Sequence, residues 1–580
     1  TGPGDAWPVR ELARAAPYPV ASSLFPEVAR RMGHSTDLSV FKRAGIPGLN
    51  FAFSDGAAHY HAPSDTVSNL DLRSVQHAGD YALSLARRFG ALDLGRRGGE
   101  DAVYFNTWGA HLVSHPTSWV PAIAALIACL FAGVAAAARR RQEASLGRIA
   151  AGSLGFLALL LGVSAAAGGL ASALRRAHPV LRAMPFEPYN APAYRLAIAL
   201  VALAAASAGY RLLRRRLGAC EVALGALLVW LLLLAAASLA MPGASFYFAW
   251  PLASALVGLA AVTIRRGGAP PMQLPASPPT QLPTLPPTLP PTLPPTLTDA
   301  ALLVATAAPA VAVAVPGPYL LFVALGLPAA AAPALAVALV FGLFLPHAEL
   351  LGGGRSRSLA LAFGVPAIAA LAVACATGGF TEARPRPASL AYALDAAAGE
   401  AHWLSADRDL DPWTAAYFPE DRAQAPSFAV PFVRLTRQSE APVAALPAPA
   451  LTVLSDVTSG GVRALRLRVA SPRGAPWLLA EVASTTAVLR AEVDGRRVEE
   501  SGRGAQAKRD VRWGFTYMGL PAGGIEWSLE VEASGPVQIR LMDQTYELPR
   551  ELVRVAKPRE LMGGPYRLAD STFVSGAFWL

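Results

Sequence analysis

From Val222 to Ile264, and again from Ala300 to Pro346, the chain carries no Asp, Glu, Lys or Arg. Each run is about twice the ~20 apolar residues an α-helix needs to cross ~30 Å of hydrocarbon. A soluble domain has no use for such runs, because its surface helices must turn a polar face to water. Each run therefore predicts a helical hairpin in a membrane. The first turns at Met241-Pro242-Gly243-Ala244-Ser245 and the second at Pro316-Gly317-Pro318. Trp119–Ala138, Ile149–Leu174, Leu196–Tyr210 and Leu359–Phe380 add four uncharged runs, for about eight predicted spans. Leu196–Tyr210 is short, but Arg195 and Arg211 at its ends can snorkel outward. The seventh span, 319–346, is long enough to tilt or kink at Pro328 and Pro333.

Composition agrees. Hydrophobic residues make up 53 % and charged residues 16 %, against about a quarter charged in soluble domains. Disordered and collagen-like chains are excluded. The net charge of +10 points to orientation and not to nucleic acid. Only Lys42, Lys508 and Lys557 break an otherwise all-Arg basic set, and many Arg flank the spans. With residues 1–113 outside, Arg139, Arg140, Arg141, Arg148, Arg211, Arg214, Arg215, Arg216, Arg265, Arg266, Arg355 and Arg357 fall in inside loops. Only Arg175, Arg176, Arg182 and Arg195 fall outside. The expected partner is thus a lipid bilayer and not nucleic acid, with both terminal domains extracytoplasmic. The preference for Arg over Lys, with abundant Ala, suggests a GC-rich bacterial genome, so the expected location is a bacterial inner membrane. Cys129, Cys220 and Cys375 lie in or beside apolar runs, without zinc or disulfide spacing.

The polar parts divide the chain. Residues 1–113 mix short apolar patches with Gly/Pro turns and read as α/β. Residues 114–266 hold spans one to five, and 299–380 hold spans six to eight. Between them, 267–298 is a Pro-rich cytoplasmic linker with three Leu-Pro-Pro-Thr units at 285–296, a polyproline spacer that cannot pack a core. Residues 381–580 read as an all-β sandwich. Val462–Val469 alternates with period two, and Asp494-Gly495 predicts a type I′ hairpin. Trp527–Glu532 and Val537–Asp543 predict a second strand pair around Ser534-Gly535-Pro536. Trp403, Trp413, Trp477, Trp513 and Trp527 either line a sugar-binding face or, as is commoner at this spacing, fill the core.

Chemistry concentrates in residues 34–70. Gly45-Ile46-Pro47-Gly48 predicts a turn into a buried strand, Leu49–Phe53. The cluster His59-Tyr60-His61-Ala62-Pro63-Ser64-Asp65-Thr66 follows at the C-terminal end of that strand, where α/β sheets place their sites. An imidazole beside a phenol, with a carboxylate four residues on, has the parts of a metal ligand and its supporting shell. The same residues also suit a surface turn. His34 and Asp37 are weaker donors, and Asp37 is expected to order the turn before Phe41.

Thr36-Asp37-x-x-x-Phe41, Gly45-Ile46-Pro47-Gly48 and Tyr60-His61-x-x-x-Asp65-Thr66 together resemble the end of the catalytic domain of the M28 zinc peptidases. The likeness is to the membrane-embedded branch, the endoplasmic reticulum metallopeptidases and fungal vacuolar membrane proteases. Thr1-Gly2-Pro3-Gly4-Asp5-Ala6-Trp7, Ala249-Trp250-Pro251 and Pro387-Ala388-Ser389-Leu390-x-Tyr392 resemble that branch too. The resemblance implies that residues 1–113 are the C-terminal part of an α/β zinc-peptidase domain, followed by an all-α membrane region and a β domain. It implies that His61 is a zinc ligand, that Tyr60 hydrogen-bonds the developing oxyanion, and that Asp65 orients the turn. His59 has no counterpart and reads as solvated.

The implied activity is aminopeptidase-like hydrolysis of a peptide by two zinc ions, which hold a hydroxide and polarise the carbonyl. The family pattern also places a His, a bridging Asp, a Glu-Glu pair and a further carboxylate upstream of Thr1-Gly2-Pro3-Gly4. This chain carries none of them there, so the resemblance implies a polypeptide that binds zinc poorly and is inactive alone. Two other readings stand beside it. A non-catalytic membrane scaffold would use the β domain for binding. A transporter fits less well, since the span interiors hold no ionisable residues.

Overall fold

Where the backbone cannot reach water it must satisfy its own hydrogen bonds, so the uncharged runs become helices. The computed structural model describes residues 6–32, 36–94, 101–107, 111–184, 186–267, 297–347, 356–419, 423–424, 428, 430, 434–483, 486–498, 511–533, 535–564 and 570–580. His34 and the Leu-Pro-Pro-Thr units lie outside the described residues. Two units are described in turn. One comprises 1–57, 70–177 and 186–378, and the other 58–69, 178–185 and 379–580.

The first unit opens with α1 (Ala6–Ala15), α2 (Leu24–Met32), α3 (Asp37–Arg43) and α4 (Leu72–Gly90), then a hairpin of β1 (Ala102–Asn106) and β2 (Leu112–Pro116). Leu12, Ala16, Tyr81 and Leu85 form the seam between α1 and α4. Buried Glu11 holds it with Arg14 at 2.8 Å and Arg88 at 2.6 Å. The Tyr81 hydroxyl donates to the Tyr18 carbonyl at 2.9 Å and accepts from the Val20 N–H at 2.7 Å. Asp37 opens α3, where a carboxylate favours the helix N-terminus, behind a Thr36 whose N–H donates to Ser39 Oγ at 3.0 Å.

The strand expected at Leu49–Phe53 does not form. These residues have no ladder partner among the described residues, and Phe51 and Phe53 are 43 % and 60 % exposed. A strand without neighbours leaves its backbone groups to water, and here Leu49 packs on the α1–α4 seam while the Phe51 ring lies 4.9 Å from that of Tyr81.

The membrane helices are α5 (Val120–Arg140), α6 (Leu146–Ala177), α8 (Ala191–Arg214), α9 (Ala219–Ala240), α10 (Phe246–Gly267), α11 (Leu297–Ala314), α12 (Pro316–Leu325), α13 (Ala331–Leu343) and α14 (Ser356–Thr377). The short α7 (Pro179–Ala183) belongs to the second unit. Among the described residues six helical stretches are long and apolar enough to span: Thr117–Arg140, Leu146–Ala177, Ala191–Arg214, Ala219–Ala240, Val304–Leu325 and Ser358–Thr377. Phe246–Ala261, the part of α10 whose side chains are described, and Ala331–Leu343 are apolar but shorter. Six candidate spans and these two shorter helices stand where eight spans were expected, and in the second long run the turn falls elsewhere than at Pro316-Gly317-Pro318. Pro316 sits at the start of α12, where its missing N–H costs nothing, so α11 and α12 make one candidate span. The break falls instead at Gly326, whose φ is +68°. A side chain there would come within 2.8 Å of the Phe186 carbonyl. Pro328 lies in the short turn that follows and Pro333 in the first turn of α13, so neither kinks a long helix.

Small residues let helices approach, as the Ala/Gly-rich runs predict. At the α6–α9 crossing a Cβ on Gly152 would lie 2.5 Å from the Glu221 carbonyl oxygen, and Ser153 Oγ donates to the Gly225 carbonyl at 3.0 Å. Outward-facing Leu126, Leu161, Leu239 and Ile368 are exposed, as helices facing acyl chains require. The N-terminal segment docks on the α9–α10 turn. Ser23 Oγ donates to the Gly243 carbonyl at 2.5 Å, the Gly243 N–H donates to buried Glu27 at 3.3 Å, and Phe105 stacks on Phe246 at 4.6 Å.

The second unit is chiefly two sheets. The smaller is antiparallel, in the order β12 (Arg496–Arg497), β11 (Val488–Val493), β14 (Ile525–Glu532), β9 (Val462–Ala470), β8 (Ala450–Ser459). The larger runs β13 (Val511–Met518), β10 (Trp477–Ala483), β15 (Gln538–Thr545), β17 (Ser571–Trp579), β4 (Ala391–Asp395), β5 (Glu400–Ser405), β7 (Arg437–Glu440), β6 (Ala423–Gln424). β3 (Arg386–Ala388) pairs with β16 (Leu561–Gly563), and α15 (Pro412–Ala415) is a single turn. Leu465, Leu467, Trp527, Leu478, Ile539 and Leu541 from the two sheets share one core, as in a sandwich. The Asp494-Gly495 turn forms as expected, both residues at positive φ, with Val493 opposite Arg496. The second expected hairpin does not. Trp527 enters the smaller sheet and Ile539 the larger, because both apolar faces are needed to close the core between them. All five named tryptophans are buried, which removes them as a sugar-binding face.

Asp407 accepts the Ser389 N–H at 2.6 Å. Burial nonetheless raises its carboxyl from an ordinary 3.8 to about 6, the largest influence on it. The native state therefore holds this proton more tightly than the unfolded chain. Its contribution is fully present below pH 3.8 and lost as pH rises through about 6. Thermal unfolding of Asp407→Asn should lack this pH dependence, while the parent loses stability across that interval.

Candidate functional site

The His59–Asp65 segment is a compact turn that supports itself. The Ala62 N–H donates to the His59 carbonyl at 3.2 Å and the Asp65 N–H to the Ala62 carbonyl at 2.9 Å. His59 Nδ1 lies 3.1 Å from Ser64 Oγ, and Asn69 Nδ2 donates to the Ser64 carbonyl at 2.8 Å. His59 is thus half-buried and staples the turn, a correction to its reading as solvated. His61 sits at φ +55°, a left-handed conformation that a non-glycine residue adopts only where its surroundings hold it. That backbone places its ring against Tyr60, with ring centres 3.9 Å apart. Tyr60 and His61 are exposed, so a phenol donor and an imidazole are presented side by side. The Asp65 carboxylate is exposed and makes no hydrogen bond with a described residue.

Zinc normally takes three protein ligands even at an open catalytic site. Among the described residues no group of three or more His, Cys, Asp or Glu side chains is placed to hold a metal ion. The described donors do not fit a zinc centre by themselves, so no catalytic step is assigned through one.

The interaction that sequence reasoning missed lies just before the turn. Asp55 accepts from Arg195 at 2.9 and 3.2 Å, from the Tyr319 hydroxyl at 2.6 Å and from the Gly56 N–H at 2.8 Å. The Arg195 hydrogen bonds lead in holding its carboxyl at about 2, well below its ordinary 3.8, against the opposing effect of burial. Arg195 also grips Glu187, its Nε donating at 3.0 Å and its second nitrogen closing the fork. Arg195 and Glu187 are both buried. Far from snorkelling, Arg195 is turned into the protein, with its guanidinium 5.6 Å from the Tyr319 ring centre. Arg148, counted from sequence as an orienting charge, is likewise engaged, donating to Glu221 at 2.6 Å. The available signal was one Arg at the head of an apolar helix with an acid eight residues earlier.

Comparison with known proteins places these residues. Residues 1–86 match the peptidase family M28. Endoplasmic reticulum metallopeptidase 1 of Rattus norvegicus is 29 % identical over 124 residues, 20 % of this chain and 14 % of that protein. A vacuolar membrane protease of Candida dubliniensis is 28 % identical over 116 residues, and one of Candida tropicalis 40 % over 62. The matches to the two Candida proteins cover 12 % and 7 % of their lengths. No solved structure matches.

Removing Arg195 would leave Glu187 buried and unpaired. Arg195→Ala should therefore cost about 3–5 kcal/mol in thermal unfolding in detergent. Arg195→Met with Glu187→Gln, which removes both charges, should recover most of that loss. Asp55 and the Tyr60-His61 turn both lie within residues 1–86, the segment that matches the peptidase family M28, on a chain with six candidate membrane spans among its described residues.

Proposed function

We propose that this chain is the membrane-bearing part of a membrane-bound, zinc-dependent peptidase with aminopeptidase-like action on peptides. The observation that carries this reading is the M28 match over the residues that form the Tyr60-His61 turn. The relatives' names, a metallopeptidase and membrane proteases, support it. In this reading His61 contributes one metal ligand, and Asp65, whose backbone N–H closes the turn, is the supporting carboxylate four residues on. The Tyr60 phenol donates to the oxyanion that develops on the scissile carbonyl. The reading also assigns residues 381–580 to an extracytoplasmic domain and the protein to a bacterial inner membrane. Arg148 and Arg195 are spoken for by ion pairs, and setting both aside leaves the Arg asymmetry intact.

The 580 residues alone are proposed to be inert, because one ligand cannot hold two ions.

The test is peptide hydrolysis and zinc content. The chain by itself should bind less than one zinc and hydrolyse nothing. A polypeptide that adds the family's His, Asp and Glu donors should hydrolyse peptides, with kcat reduced about 100-fold or more by Tyr60→Phe, the loss typical of one oxyanion donor. Hydrolysis indifferent to both Tyr60→Phe and His61→Ala would contradict the assignment.

A further inference from the structure

The helices of the first unit border a partly open cavity of about 620 Å³ between α8, α12, α13 and α14, within the size range of small-molecule sites. Leu203, Phe322, Phe341 and Phe363 supply its apolar wall, Arg195 and Tyr319 make one polar patch, and His347 also lines it. The Arg195–Tyr319 patch is already engaged. Arg195 donates to Asp55 and Glu187, and Tyr319 donates to Asp55. A buried water needs two to four polar partners, so most of the cavity offers water nothing.

The wall also reaches the outside of the bundle. Leu196 lines the cavity and is 55 % exposed, on a helix long and apolar enough to span a membrane. The medium continuous with the cavity is therefore acyl chain. At the Arg195–Tyr319 patch one guanidinium faces two carboxylates, so the cluster carries a net negative charge that repels an anionic headgroup.

We propose that this cavity binds one acyl chain of a bilayer phospholipid whose headgroup is net neutral, lying at the Arg195–Asp55 end. The site is independent of the peptidase reading, since it uses none of that reading's catalytic residues.

The test is native mass spectrometry of the full chain released from vesicles of equal phosphatidylethanolamine and phosphatidylglycerol. One phospholipid should be retained per chain, the neutral lipid favoured about tenfold, as one unit charge at ~10 Å and an effective dielectric near 20 provides. Ala199→Phe, which fills the cavity, should abolish retention. Asp55→Asn should keep retention and lose the preference. Equal retention of the two lipids by the parent chain would overturn the headgroup assignment, and undiminished retention in Ala199→Phe would overturn the site. Should Ala199→Phe not fold, a phosphatidylethanolamine with a photoreactive acyl chain decides on the unaltered protein. Labelling of α8, α12 and α13 supports the site, and labelling confined to other helices overturns it.

Discussion

A guanidinium buried at the head of a membrane helix must be neutralised on the spot, because an uncompensated charge there costs several kcal/mol. Arg195 meets that demand with two carboxylates from different stretches of chain, Glu187 eight residues before it and Asp55 in the M28 segment. The two roles differ. Glu187 is buried and compensates the charge, while Asp55 is half exposed and ties a loop to the helix. Asp55 precedes Tyr60 by five residues, so the anchored carboxylate lies close in sequence to the residues that present the phenol and imidazole. Because Tyr319 shares Asp55, two separate helices meet at this one carboxylate.

Asp55 also carries a pH dependence of the ordinary acidic sign. Its carboxyl is held at about 2 chiefly by Arg195, so the stability it adds is present above pH 3.8 and is lost as pH falls through about 2. With the carboxylate half in water, screening keeps that contribution modest. At neutral pH the anchor is charged and closed.

The membrane region and the β domain were legible because their signals are periodic and local. Uncharged runs mark spans by length alone, and Val462–Val469 and Asp494-Gly495 report a strand and a turn within a few residues. What failed depended on distant partners. Leu49–Phe53 has strand-like residues but no described neighbour to pair with, and Trp527 and Ile539 look like adjacent strands until the shared core claims them for opposite sheets. Gly326 was hidden in an apolar run because its role is set by the Phe186 carbonyl, far away in sequence. At the site, Tyr60 and His61 stood out through their motif. Asp55 did not, since nothing in Phe53-Ser54-Asp55-Gly56 announces an arginine 140 residues away.

A buried arginine on α8 thus holds the loop that carries Asp55, within the residues that match the M28 family. Hydrogen–deuterium exchange over residues 51–57 tests it most directly, comparing the parent chain with Arg195→Met/Glu187→Gln, which removes the anchor without stranding a charge. Exchange there should rise at least several-fold in the variant while α8, α9 and α13 stay protected. Unchanged exchange at 51–57 with those helices intact would contradict the account.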